Sequence, residues 1–89
     1  MPEKPDRQRI DRWLWHARLV RTRAAAAALA GAGHVRVNGV RIHAPGRVVH
    51  SGDVITVALD RNVRVLKVRG FLERRGPAGT ADDLYEDLT

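Results

Sequence analysis

The spacing of apolar residues changes period at Gly33, and that change restricts what the chain can fold into more than any other feature. Before it, Ile10, Trp13, Leu14 and Ala17 stand at i, i+3, i+4 and i+7, one face of a helix. Arg12 and His16 then share an outer face, and Asp11, Trp15 and Arg18 share another. Trp13 is expected in the core, while Trp15 is open between half-buried support and a stacking surface. A second helix is predicted over Arg23 to Ala32. Strong helix formers follow Thr22, whose hydroxyl suits the first free amides of a helix, and Gly33 stands where a left-handed stop belongs, with Gly31 the alternative stop. After Gly33 the period is two: Val35 and Val37 alternate with His34 and Arg36, Asn38-Gly39 signals a two-residue hairpin, and Val40 to His43 returns.

Further short strands are expected around Val48-Val49, over Val54 to Leu59 and from Val63 towards Phe71, separated by turns at Ser51-Gly52-Asp53 and Asp60-Arg61-Asn62. This order predicts an α+β fold, two N-terminal helices packed on a small, mostly antiparallel sheet. Beyond Arg74-Arg75-Gly76-Pro77, Thr80 and Asp83 have capping-box spacing, and Leu84 and Leu88 share a helical face, so a short acidic C-terminal helix is expected. The implied division is a flexible polar tail over residues 1–8, a domain over 9–72 and a partly helical extension over 73–89.

Composition matters chiefly through charge. Residues 1–50 carry ten Lys/Arg against three Asp/Glu, residues 51–89 carry six against seven, and the whole chain is +6. All the basic residues but Lys4 and Lys67 are arginine, the side chain that binds phosphate bidentately and stacks on bases. Composition alone leaves two readings open, a polyanion-binding half or an arginine-rich, soluble surface; position has to decide. The expected start of the second helix would gather partial positive charge, free amides, Arg21 and Arg23 in one place, an anion site in form.

Other chemistries find little support. Eighty-nine residues bury only roughly 60 to 65% of the unfolded surface, which leaves small room for an internal active site. There is no cysteine, no phosphate loop, no dinucleotide fingerprint and no nucleophile-histidine-acid pattern. His16, His34, His43 and His50 lack zinc-ligand spacing and read as surface or sheet histidines. No catalysis, metal or cofactor is expected, and neither is a membrane segment or targeting signal.

Arg9-Ile10-Asp11-Arg12-Trp13-Leu14, Arg18-Leu19, Thr22-Arg23, Ala26, Leu29, Gly33-His34-Val35-Arg36-Val37-Asn38-Gly39 and Ser51-Gly52-Asp53-Val54-Ile55 closely resemble, in unbroken order, the RNA-binding domain named after ribosomal protein S4. Arg9 to Arg18, Arg74-Arg75-Gly76-Pro77-Ala78 and Leu84-Tyr85-Glu86 look most like its heat-shock protein 15 group. The resemblance implies the αL RNA-binding motif, in which two helices and a hairpin form one RNA-facing surface. RNA-binding residues are then expected at Arg9, Asp11, Arg12, Arg18, Arg21, Thr22, Arg23, Arg36, Asn38 and Arg41. Asp11 is expected to orient an arginine rather than meet RNA, since phosphate repels a bare carboxylate. The group further implies a cytoplasmic protein, monomeric when free, that binds ribosomal RNA of large subunits blocked with peptidyl-tRNA, in rescue or quality control. The alternatives are a targeting module acting with an RNA-modifying enzyme, or an adaptor that docks an acidic protein.

Overall fold

In the computed structural model the described residues are 6–76 and 78–89, without the side chains of Ala78 and Thr80. The elements run β1 (Arg7–Arg9), α1 (Ile10–His16), α2 (Arg23–Gly31), β2 (Val35–Val37), β3 (Val40–Ile42), β4 (Val48–His50), β5 (Val54–Ala58), β6 (Val63–Val68), a 3-10 helix (Ala78–Asp83) and β7 (Tyr85–Asp87). Among the described residues the strands form a five-stranded sheet of order β3-β2-β5-β6-β7 and a separate β1-β4 pair, every pairing antiparallel. The α+β architecture expected from the sequence is the one observed.

The helical face predicted from spacing is the buried one: Ile10, Trp13 and Leu14 are fully buried and Ala17 nearly so. They join Ala26 and Ala30 of α2 and the inward residues Val35, Val37, Ile42, Ile55, Val57, Leu66 and Val68 of the sheet in one core. Alanine on the inner side of α2 lets that helix lie close to its neighbours. Burying these side chains at about 25 cal/mol per Å² of apolar surface is the main force holding helices to sheet.

Both helices stop in the same way. At α2, Gly33 N–H donates to Ala30 O at 3.2 Å and His34 N–H to Leu29 O at 3.0 Å, with Gly33 at φ 83°. At α1, Arg18 N–H donates to Trp15 O at 3.1 Å and Leu19 N–H to Leu14 O at 3.1 Å, with Arg18 at φ 59°. These are paired Schellman closures, but the second puts an arginine where glycine is favoured. A non-glycine residue there costs about 1 kcal/mol. The hairpin forms at Asn38-Gly39, at φ 51° and 82°, in the left-handed region a two-residue turn requires.

Three expectations are corrected. Arg7 and Gln8, assigned to the tail, form β1: Arg7, Gln8 and Arg9 pair with His50, Val49 and Val48, and Gln8 Nε2 donates to Leu72 O at 2.7 Å. Residues 1–5 lie outside the described residues, as do Pro77 and the Thr80 side chain on which the capping box depended. The short C-terminal helix is present as the 3-10 helix, but it ends before Leu84, and β7, an edge strand on β6, follows where the helical face of Leu84 and Leu88 was expected. Leu84 is buried but Leu88 is exposed, because they flank a strand instead of sharing a helical face. The extension thus completes the sheet: Arg64 Nη2 meets Asp87 Oδ2 at 3.0 Å, its guanidinium lies 5.5 Å from the Tyr85 ring, and Thr89 Oγ1 accepts from Val65 N–H at 2.9 Å. Hydrogen bonds from Thr89, then from Arg64, hold the Asp87 carboxyl down at about 2. The third correction concerns His16, which is 2% exposed instead of outward.

Candidate nucleic-acid interface

Arginines converge where β1 runs into α1. Because Arg9 is the last residue before the helix and Asp11 lies in its first turn, the two side chains meet. Arg9 Nε donates to Asp11 Oδ1 at 3.2 Å and Nη2 to Oδ2 at 3.0 Å, a two-pronged pair on a carboxylate 4% exposed. From the start of α2, Arg23 Nε stands 3.9 Å from the same Oδ2. One sheltered carboxylate therefore braces two half-exposed guanidinium groups that come from different elements. The remaining amides at the start of α1 are held by Arg47 O for Ile10, Pro45 O for Asp11 and Asp11 Oδ1 for Arg12.

Thr22 caps α2 as expected, its Oγ1 accepting from Ala25 N–H at 3.0 Å. Such a cap contributes about 1 kcal/mol. Arg7, Gln8, Arg9, Arg12, Arg23, Glu73 and Arg74 line an open concavity of about 540 Å³. Five cations surround one peripheral carboxylate there, which makes the groove a fit for a phosphate backbone.

A strap over residues 70–76 forms the far wall, and α1 holds it largely through backbone carbonyls. Trp13 Nε1 donates to Gly70 O at 3.1 Å, Arg12 Nη2 donates to Glu73 O, and Arg18 Nη2 donates to Gly76 O at 2.8 Å. In return, Arg75 Nε donates to Trp15 O at 3.2 Å, and its guanidinium covers the Trp15 ring at 5.5 Å from the centroid. Trp15 is therefore half-buried support. Beneath the strap, burial lowers the pKa of His16 below its ordinary 6.5, reinforced by Arg12 and then by Arg23 and Arg75; a bond to Leu72 O opposes the shift. His16 Nδ1 has no hydrogen-bond partner among the described residues.

The remaining expected residues are dispersed. Arg18 and Thr22 lie at the ends of the helices. Arg21 lines a different, largely apolar groove with Leu19, Val20, Leu29 and Leu59. Asn38 is engaged internally: its Nδ2 donates to Asp53 Oδ1 at 3.1 Å, and its Oδ1 accepts from Val54 N–H at 2.9 Å. Its amide therefore ties the hairpin turn to the Asp53 loop. Arg36 and Arg41 lie on the sheet face turned away from the helices, since their neighbours Val35, Val37 and Ile42 point into the core. The single surface expected is thus divided. Arg74 of the groove was not anticipated as a site residue; its signal was an Arg-Arg pair in an otherwise acidic half.

The fold is that of the S4 class of RNA-binding domains. The family model for the S4 domain matches residues 8–55, more than half of the chain, and the chain belongs to that family. It is similar to heat shock protein 15 of Escherichia coli (strain K12), at 38% identity over 88 residues, 98% of this chain and 65% of that protein; the chain thus spans just under two thirds of that relative's length. A solved trimeric heat shock protein 15 from Vibrio cholerae superimposes with a TM-score of 0.85 at 30% identity, covering 92% of this chain and 82% of that one. Small ribosomal subunit protein uS4 of Methylobacterium radiotolerans is 42% identical over 50 residues, 56% of this chain and 24% of that protein. Among the described residues no group of three potential metal ligands occurs, and no helix is long and apolar enough to cross a membrane.

Proposed function

We propose that the chain recognises structured ribosomal RNA through the groove between β1, α1, α2 and the strap, in the cytoplasm, on large subunits obstructed by peptidyl-tRNA. The observation that carries this reading is the Asp11 brace: two arginines on a shared buried carboxylate keep their outer donors towards solvent at a fixed spacing. Arg7, Arg12 and Arg74 complete a cationic contour suited to the phosphates of a folded RNA, which is recognised mainly by shape and backbone. Similarity to heat shock protein 15 supports the large-subunit setting. The groove acts by binding, with no chemical step assigned to it.

Titration of the purified chain with ribosomal RNA across salt tests the mechanism. Four to six neutralised phosphates give a log-log slope of about −3 to −5. A flat response would refute it. Co-sedimentation with large subunits that carry or lack peptidyl-tRNA tests the setting: preferential pelleting with the obstructed subunits is expected, and equal pelleting with both would confine the reading to general ribosomal RNA binding.

A further inference from the structure

The outer face of the sheet carries a charge arrangement that folding alone disfavours. Arg36 of β2 and Arg41 of β3 are directly opposed in register, one pair removed from the Asn38-Gly39 turn. Directly opposed residues bring their Cβ atoms to about 5 Å, and like charges there are destabilising. Both arginines are exposed, and among the described residues no carboxylate lies within ion-pair distance of either. The nearby Asp53 is already bonded to Asn38 and to His50 N–H. On the other side of Arg36, in register on β5, lies Thr56, and together with His34 these residues line a concavity of about 380 Å³. The Arg41 stem passes beside the end of α2: a Cβ added to Gly33 would lie 3.3 Å from Arg41 Cδ and 3.0 Å from the His43 ring. This concavity shares no residue with the groove beside α1 and opens on the opposite side of the sheet.

We infer that Arg36 and Arg41 clamp the phosphate backbone of a second RNA segment, so that one molecule holds two RNA segments on opposite sides of its sheet. A phosphate between the two guanidinium groups converts their repulsion into a shared contact. The Thr56 hydroxyl and the His34 ring supply further hydrogen-bonding groups. The inference rests on the RNA-binding reading of the α1 groove and adds a second contact to it, which changes the protein from a ligand of one RNA surface into a bridge between two.

The test uses the full chain and two RNA duplexes of equal length, one biotinylated and one fluorescent, with the chain substoichiometric to both. Wild-type chain should carry fluorescence onto streptavidin beads. R36Q/R41Q should still bind a single duplex with its salt slope retained, since the α1 groove is untouched, while its co-capture falls at least tenfold. Circular dichroism melting should show the variant folded and at least as stable, since a repulsion has been removed. Unchanged co-capture would overturn the inference, because bridging would then come from two copies each holding one duplex through the α1 groove. Capture of labelled polyglutamate by wild-type but not by R36Q/R41Q, at a salt concentration where wild-type carries no second duplex, would also overturn it, by showing that the face takes an acidic polypeptide. If wild-type binds neither duplex, the RNA reading of the groove itself fails, an outcome distinct from the loss of bridging alone.

Discussion

Two sets of arginines face solvent in this molecule, and they differ in what holds them. Arg9 and Arg23 share a buried carboxylate and Arg12 is tied to the Glu73 carbonyl, whereas Arg36 and Arg41 face each other with no acid between them. The first set is held by groups of the fold itself; the second has no such brace. Ordering a long side chain on association costs about 0.5–1.5 kcal/mol. The braced set should therefore dominate affinity, and the unbraced set should respond more to its surroundings.

The largest effect is expected from R9E/R23E, which reverses both braced charges. RNA affinity should fall about a hundredfold near 0.1 M salt on the counterion-release argument, measured by filter binding, with the circular dichroism spectrum retained. A loss no larger than that of R36Q/R41Q would erase the distinction between the sets. Next comes D11N, which sharpens it. Counting charge alone, removing a carboxylate strengthens RNA binding; if bracing matters, two released arginines must be ordered afresh, and affinity drops about tenfold. Tighter binding by D11N would show that the carboxylate does not preorganise the site.

The effect of pH should be smaller. His16 has a folded-state pKa below 6.5, so the native state takes up protons less readily than the unfolded chain. Stability is complete above that ordinary value and is lost as pH falls through the lowered one. The melting temperature should decline from pH 7 to pH 5, and H16Q should flatten the decline. An unaltered profile in H16Q would assign the acid sensitivity to other groups. The smallest effect is expected at Arg18. R18G relieves the left-handed strain and should raise the melting temperature by roughly 2–5 °C, while RNA binding weakens through loss of the charge and of the Gly76 contact. A fall in both would mean that the contact outweighs the strain.

Much of the fold was legible because its signals are local. The spacing of Ile10, Trp13, Leu14 and Ala17, the cap at Thr22, the stop at Gly33 and the Asn38-Gly39 turn each depend on residues within a few positions of one another, and each element stands where its signal placed it. The second stop, at Arg18, was hidden because only backbone geometry marks it. Leu84 and Leu88 misled because a spacing of four fits a helix, whereas a three-residue edge strand is held by backbone bonds to β6. His16 shares a helical face with Arg12, and only the strap above it makes that face an interior. In the interface, the cluster of Arg9, Asp11 and Arg12 could be read from adjacency. The approach of Arg23 to Asp11, the entry of Arg74 and the removal of Arg36 and Arg41 to the far side depend on how separate elements meet. The strap carbonyls that accept from Arg12, Trp13 and Arg18 are the same for every residue type, so sequence carries no mark of them.

That strap also sets when the groove can exist. The bonds from Gln8 to Leu72, Arg12 to Glu73 and Trp13 to Gly70 join residues 64, 61 and 57 positions apart. Contacts that distant close late in folding, after the loop entropy between them has been overcome. During synthesis α1 and its arginines emerge first, yet the wall they line does not form until the chain has been extended past residue 76. An incomplete nascent chain therefore presents the charge of this surface without its shape. The shape of this surface arrives only with residues 70–76.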